Sequence, residues 1–467
     1  MRKTKIICTL GPATESADVL REMIGAGANI FRLNMSHATH KWVQAIVPRI
    51  REIAQELDTF VGILMDTQGP AIRTGELPAK LNLKNGDIFE FTVRGTKSEE
   101  IYSVDVNYDG LIDDIAEGDL VLVDNGVIHM KVLAKSGNKI RCQVLTEGVM
   151  ASRRHINLPG VKVNLPPLTE KDLADVALGA ELQVDFVALS FCREASDVHA
   201  LREVLRQHGS SARIVAKIED QSAVRNINEI IDHTDIVMVA RGDLGIECPM
   251  EELPIIQRRI VKRCLQKGRR VVVATHMLES MISNPVPTRA EITDVANAAY
   301  EQADSIMLSG ETTVGKYPVG CVKVLDRVAL RIERSGGAGF AAEAILSDDR
   351  QKTVSSAVEL ANSLPNSKLV VFTRRGNTAD YVSNLRPPRA PIHAFAPTQE
   401  VCRQLVMNWG VTPHYLPFDP DPLRTIGAAQ TLLVERGLAS AGDRLVIFSD
   451  LLAGADRFDS VQLRVVL

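Results

Sequence analysis

The feature that most limits how this chain can fold is an alternation of short, β-rich apolar runs with stretches of helical period, which starts, breaks off and then resumes. It opens with Lys5 to Thr9 and a helical stretch from about Ser16 to Gly25, continues with Asn29 to Asn34 and His40 to Leu57, and reaches a third run at Phe60 to Asp66. Between about Gly69 and Val163 the period becomes two, with turn signals at Asn85-Gly86, Asn125-Gly126 and Ser136-Gly137-Asn138, the pattern of a small antiparallel barrel. After Leu165-Pro166-Pro167 the alternation returns, with runs at about Asp185 to Ser190, Arg213 to Ile218, Asp235 to Ala240, Arg270 to Ala274 and Ser305 to Leu308. Three runs and five make eight, the strand count of a (β/α)8 barrel. Beyond Gly336-Gly337-Ala338-Gly339, a linker, further strands at Leu369 to Phe372, Ile392 to Ala396 and Leu445 to Phe448 alternate with helices.

The expected fold is therefore α/β: a (β/α)8 TIM barrel, a small β-barrel lid domain inserted after strand 3, and a C-terminal open α/β domain. The expected limits are 1–68 and 165–338 for the barrel, 69–164 for the lid and 339–467 for the last domain. A length of 467 residues suits about three domains of this size. Thr288-x-x-Glu291 predicts a capping box at the start of a helix.

Composition removes several classes of function. Lys plus Arg (54) nearly balance Asp plus Glu (58), so neither a polyanion nor an anionic membrane is an expected partner. Two Trp and six Tyr are too few for a stacking platform on single-stranded nucleic acid. The start, Met1-Arg2-Lys3-Thr4-Lys5, is followed by only three apolar residues before Thr9, which is no signal-peptide core, and no apolar run reaches bilayer length. Seven cysteines without a Cys-x-x-Cys pair suit a reducing compartment. A soluble, cytoplasmic protein binding no nucleic acid and no membrane is expected.

Three motifs look like binding sites and are read otherwise. Gly25-Ala26-Gly27 ends a helix and precedes a strand, the reverse of a dinucleotide fingerprint. Gly310 to Lys316 matches a phosphate loop except that Tyr317 stands where a hydroxyl should hold Mg²⁺, and Pro318 reads as the first residue of a helix. His37 and His40 fit no zinc spacing and read as hydrogen-bonding loop residues.

Chemistry in such a barrel sits where the strands end. Strand two ends Arg32-Leu33-Asn34-Met35-Ser36, strand three Asp66-Thr67, strand five Lys217-Ile218-Glu219, strand six Arg241-Gly242-Asp243, strand seven Thr275 and strand eight Ser309. Alternation along a strand should point Arg32 with Asn34, Lys217 with Glu219, and Arg241 with Asp243 the same way. Six of eight strands thus bring polar groups to one rim: two carboxylates for a hard divalent cation (Glu219, Asp243), cations at Arg32, Arg73 and Lys217, and hydroxyls at Ser36, Thr67, Thr275 and Ser309. Phosphoryl transfer, which needs positioned cations and metal more than a protein nucleophile, uses such a set. Gly242-Asp243-Leu244-Gly245 could open a helical turn whose amides hold a small carboxylate.

At these residues the chain resembles the pyruvate kinase family. The matching stretches are Thr4-Lys-Ile-Ile-Cys-Thr-Leu-Gly-Pro12, Arg32-Leu-Asn-Met-Ser-His37, Asp66-Thr-Gln-Gly-Pro70 with Ile72-Arg-Thr-Gly75, Leu168-Thr-Glu-Lys-Asp172, Lys217-Ile-Glu219, Met238-Val-Ala-Arg-Gly-Asp-Leu-Gly-Ile-Glu247, Met277-Leu-Glu-Ser-Met281, Pro287-Thr-Arg-Ala-Glu291 and Met307-Leu-Ser-Gly-Glu-Thr312. The resemblance implies transfer of the phosphoryl group of phosphoenolpyruvate to ADP. It implies Glu219 and Asp243 as ligands of Mg²⁺ (or Mn²⁺), and Lys217 as the group that neutralises the phosphoryl unit and stabilises the enolate. Arg32 would contact phosphate, the Gly242 and Asp243 amides with Thr275 would hold the carboxylate, and Thr275 or Ser309 would pass a proton through water to the enolate. Asn34, Ser36, Asp66 and the Thr67 carbonyl match the family's K⁺ site, while Asn34, His37, Arg73 and Arg154 fall at nucleotide contacts. Thr373-Arg374-Arg375-Gly376-Asn377-Thr378 matches an effector-phosphate loop, for a sugar phosphate or AMP, and a homotetramer is the family's usual assembly.

Some positions depart from the family. Ala71 stands where Glu accompanies K⁺ dependence and Lys independence, so it assigns the chain to neither; Asn125 replaces an acid in the lid. Arg154-His155 replaces Lys-Gly, His276 follows Thr275 in place of Gln, and Arg375 takes a usual Ser position. Two other functions compete. A silent relative that binds phosphometabolites without turnover would have little use for intact Lys217, Glu219 and Asp243, and a mutase or lyase acting on phosphoenolpyruvate would need neither the lid nor Arg73.

Overall fold

In a computed structural model, described for residues 2–453 and 456–467, eight parallel strands close into a barrel. They are β1 (Lys5–Thr9), β2 (Ile30–Asn34), β3 (Gly62–Asp66), β4 (Phe186–Leu189), β5 (Arg213–Ile218), β6 (Ile236–Ala240), β7 (Arg270–Ala274) and β8 (Ser305–Leu308). Each pairs in register with its sequence neighbours, and β1 closes the ring on β8 through Lys5 to Ser305 and Cys8 to Leu308. Nearly every strand residue is buried because helices cover the ring outside and side chains fill it inside. The helices begin where capping residues require. Ser16 and Thr39 accept the Val19 and Trp42 amides, and Thr288 forms the expected capping box with Glu291.

Between β3 and β4 the insert forms a six-stranded and a two-stranded sheet around its own apolar core, with Phe89 and Phe91 at the centre. The expected turns occur at Gly86, Gly126 and Gly137, all at positive φ. The pairing is not all antiparallel, however: Ile88–Thr92 runs parallel to Ser103–Asp105, because about ten residues of loop separate them instead of a hairpin. Gly69, where the chain leaves the barrel, has φ 72°, and a Cβ there would lie 2.9 Å from that of Ser190.

The last region has a five-stranded sheet: β9 (Ser367–Phe372), β10 (Ile392–Ala396), β11 (Val411–Tyr415), β12 (Arg444–Ala453) and β13 (Asp456–Val465), in the order β11-β10-β9-β12-β13 with only β12 and β13 antiparallel. It is fixed to the N-terminal ends of the barrel strands by buried ion pairs. Asp185 takes Arg403 at 2.8 Å, Asp304 takes Arg386 at 2.7 Å, and Asp380 takes Arg213 at 3.1 Å and also Arg270. This leaves the opposite rim of the barrel to the lid. Among the described residues, no helix is long and apolar enough to cross a membrane.

Candidate active site

The C-terminal ends of the strands open into a cavity of about 300 Å³ between barrel and lid, lined from the barrel by Arg32, Asn34, Ser36, Thr67, Lys217, Glu219 and Asp243 and from the lid by Arg73, Asn125 and Arg154. At its floor is a chain of charge. Lys217 Nζ lies 2.9 Å from Glu219 and 3.2 Å from Asp66, and donates to Ser190 Oγ at 2.7 Å. Asp66 also accepts Arg32 Nε at 2.6 Å, and Arg32 reaches Thr9 Oγ1 at 3.1 Å. Glu219 accepts the Phe191 amide at 2.6 Å.

These contacts set the protonation states. Burial acts upward on Asp66, but Lys217 and Arg32 more than offset it and hold its carboxyl below the usual range. Burial acts downward on the Lys217 amine, yet Asp66 and Glu219 keep it above the ordinary lysine value, so it is a cation. Burial pushes Glu219 up, opposed by Lys217 and reinforced by Asp243. Glu219, buried, and Asp243, half-buried, face one cavity and form a hard-oxygen donor set of the kind a divalent ion satisfies.

Thr275 sits just outside this cluster in a backbone conformation that L residues seldom adopt. Thr275 (φ 68°) and His276 (φ 55°) are consecutive left-handed residues after β7. What holds them is Arg241, which donates to the Thr275 carbonyl at 2.6 Å and the Ala274 carbonyl at 3.2 Å while Asp294 grips its other end at 2.6 Å. The Gly242 amide in turn donates to Thr275 Oγ1 at 2.7 Å. The expectation that Arg241 and Asp243 point the same way is therefore wrong. Arg241 begins a helix, Arg241–Glu247, so the period changes at that residue and the arginine turns into the protein while Asp243 faces the cavity.

His37 and Ser309 line a second cavity of about 530 Å³ on the far side of Arg32 and Asn34, together with Pro12 and Trp42. Ser309 Oγ is buried there and has no hydrogen-bond partner among the described residues. The six residues Thr373 to Thr378 lie in the last domain, Thr373 to Gly376 in the loop after β9 and Asn377 and Thr378 at the start of the helix Asn377–Asn384. Gly376 donates to Thr373 Oγ1 at 2.9 Å, Arg350 reaches Thr378 at 3.2 Å, and the Arg374 guanidinium lies 5.4 Å over the Phe418 ring. His40 is bonded to Asp175 at 2.7 Å, and among the described residues no cluster of three or more His, Cys, Asp and Glu could hold a metal ion.

Sequence reasoning missed Ser190, Thr9 and the Phe191 amide. Ser190 joins Lys217 to the Thr67 carbonyl, to which it donates at 2.7 Å. The signal was available, since Ser190 follows an apolar run just as the other strand-end residues do.

Comparison with known proteins agrees with this geometry. A family model described as pyruvate kinase, barrel domain, matches residues 1–322, and one described as pyruvate kinase, alpha/beta domain, matches residues 351–461. The chloroplastic pyruvate kinase isozyme G of Nicotiana tabacum is 40% identical over 96% of this chain and 80% of its own length. The pyruvate kinase of Geobacillus stearothermophilus is 41% identical over 97% of this chain and 78% of its own. A crystal structure of a pyruvate kinase from Cryptosporidium parvum, 33% identical, superposes with a TM-score of 0.93 over 99% of this chain and 96% of that one. A barrel model covering more than half of the sequence, and relatives similar from end to end, show that the chain belongs to the pyruvate kinase family.

Proposed function

We propose that this protein transfers the phosphoryl group of phosphoenolpyruvate to ADP, giving pyruvate and ATP, at the cavity floored by Lys217. The observation that carries the reading is the Lys217 amine held between Asp66 and Glu219 at the same opening as Arg32 and Asp243. The bond from the enol oxygen to phosphorus breaks, a bond from an ADP oxygen to phosphorus forms, and the enolate carbon takes a proton. Lys217 and Arg32 meet the charge on the migrating group and Lys217 that on the enolate oxygen, a preorganised arrangement that needs no rearrangement during reaction. Thr275 Oγ1 with the Gly242 and Asp243 amides orients the substrate carboxylate, and the strained turn keeps the hydroxyl in place. Thr275 and Ser309 are the hydroxyls for relaying the proton, and the unpartnered Ser309 Oγ supports that use. The lid shields the transfer from water.

Glu219 and Asp243 would hold Mg²⁺ (or Mn²⁺), which when bound supplies positive charge to the transferred phosphoryl oxygens. Asn34, Ser36, Asp66 and the Thr67 carbonyl are proposed for K⁺, and Asn34, His37, Arg73 and Arg154 for the nucleotide. His37 beside Pro12 and Trp42 supports placing the base in the second cavity. Thr373, Arg374, Arg375, Gly376, Asn377 and Thr378 are proposed to hold an effector phosphate, a sugar phosphate or AMP, in a homotetramer. The domain limits are proposed at 68/69, 164/165 and 338/339. A cytoplasmic location is supported by seven free cysteines.

The test is pyruvate formation from phosphoenolpyruvate and ADP, coupled to lactate dehydrogenase, with and without Mg²⁺ and K⁺. Phosphate-ester binding without pyruvate would overturn the reading in favour of a silent relative, and turnover independent of ADP would favour a lyase or mutase.

A further inference from the structure

The lid's return to the barrel is held by a carboxylate that the reaction does not use. Glu247, buried at 7% exposure, ends the helix whose first turn carries Gly242 and Asp243. Its Oε1 accepts Asn157 Nδ2 at 3.1 Å, and the Leu158 amide donates to it as well. Asn157 lies in the lid's last strand, opposite Leu122. The Glu247 carbonyl accepts Gln221 Nε2 at 2.5 Å, and Gln221 opens the helix Gln221–Arg225 just after Glu219. One residue thus ties the root of the lid to both segments that present the cavity's acids.

The chemistry of this contact depends on a proton. Asn157 Oδ1, the other end of the same amide, is buried and has no donor among the described residues. A protonated Glu247 supplies one and completes a two-bond acid–amide pair; a carboxylate cannot. Burial pushes this carboxyl up to about 7, and Asp220 and Asp243 act in the same direction. The other titratable groups around the adjoining cavity are His155 and Lys162 from the lid segment and Arg193, Glu194, Asp197, Glu219 and Arg225 from the barrel, and none of them is ion-paired to Glu247 among the described residues. The outgoing root differs, because Asp172 there already accepts four donors, the Gln68, Gly69 and Thr169 amides and the Thr169 hydroxyl.

We propose that Glu247 is a positioning residue that, as the neutral acid, latches the return strand of the lid to the helix carrying Asp243, so that ADP capture weakens when it ionises. The inference rests on the phosphotransfer reading above. It is tested by measuring KM for ADP from pH 6 to 8.5, at saturating phosphoenolpyruvate and Mg²⁺, in the wild-type chain, Glu247→Gln and Glu247→Ala. Gln is neutral, nearly isosteric and able to make both bonds to the Asn157 amide. The wild-type KM should rise about threefold to tenfold across the range, as one buried hydrogen bond is lost. Glu247→Gln should keep the low-pH value throughout with kcat within about twofold, and Glu247→Ala should carry a raised KM at every pH. Titration of ADP and of the remaining cavity groups is common to all three proteins, so the difference between curves isolates Glu247. A Gln variant that reproduces the wild-type curve overturns the latch, and it does so even if the Ala variant fails to fold. Absence of pyruvate formation in the wild-type chain would instead overturn the reading on which the latch rests.

Discussion

Lys217→Met removes the charge at the centre of the site while keeping most of the stem's volume. Lys217 Nζ stands 2.9 Å from Glu219 and 3.2 Å from Asp66, where unit charges attract by about 5 kcal/mol at an effective dielectric near 20. A phosphoryl oxygen taking the place of either carboxylate at about 3 Å would gain a similar amount. Much of that is already present when substrate is bound, so only the part that grows as charge reaches the enolate oxygen raises kcat. Loss of one preorganised donor in such a site costs about 3–4 kcal/mol, which lowers turnover by about 100- to 1,000-fold. The assay is the coupled measurement at saturating phosphoenolpyruvate, ADP and Mg²⁺. A second effect follows from the same geometry: Asp66 keeps Arg32 at 2.6 Å, whereas Glu219 loses the cation that opposes its burial. Glu219 should hold its proton to higher pH, so the variant should need more Mg²⁺ than the wild type at pH 6. A kcat within about tenfold of wild type, with an unchanged circular dichroism spectrum, would refute the role of Lys217.

Three further outcomes are expected. Asp243→Asn should raise the Mg²⁺ concentration for half-maximal activity by about tenfold or more, checked by metal titration; an unchanged midpoint removes Asp243 from the metal site. Arg241→Lys cannot bridge Asp294 and the Thr275 carbonyl with a fork, so KM for phosphoenolpyruvate should rise about tenfold with a smaller change in KM for ADP. Lys5 is buried against the Val411 carbonyl at 2.7 Å, and burial, with Arg2 adding, pulls its amine down from 10.5 to about 7. Between those values the unfolded chain keeps a proton that the folded chain has lost, so this group's contribution to stability rises with pH across that window and is lowest below it. Lys5→Met should therefore raise Tm more at pH 6 than at pH 9 by calorimetry, and equal shifts would refute the assignment.

The barrel was legible because its strands are apolar on both faces and end at polar or turn residues. The Arg213–Ile218, Arg270–Ala274 and Ser305–Leu308 strands have the limits read from sequence. What sequence missed in the last sheet has a physical reason. β11 carries Pro413 and two polar residues within five, a composition tolerated because the strand lies at the sheet edge and Pro need not donate inward. The parallel pair in the insert escaped notice because local turn signals report hairpins and say nothing of strands joined through a long loop.

In the site, Arg32, Asn34, Lys217, Glu219 and Asp243, which face the cavity, were readable, whereas Ser190, which also lines it, and the residues that hold the turn at Thr275 were not. Lys217 and Glu219 share a direction because Lys217 lies within a strand and Glu219 directly follows it, so the alternation nearly persists. Arg241 broke that rule because the strand stops at Ala240 and a helix begins at once. Its partners, Asp294 and the Ala274 and Thr275 carbonyls, come from another helix and another strand, and no spacing in one stretch of sequence can reveal such a contact. A buried guanidinium bonded to two carbonyls and a carboxylate has no freedom to meet substrate, but it keeps a Thr at φ 68° that would otherwise relax into an ordinary conformation. If that is its work, Arg241→Lys should leave the pH dependence and Mg²⁺ requirement of kcat unchanged while weakening substrate capture, whereas a group that met the phosphoryl unit directly would shift kcat as Lys217→Met does.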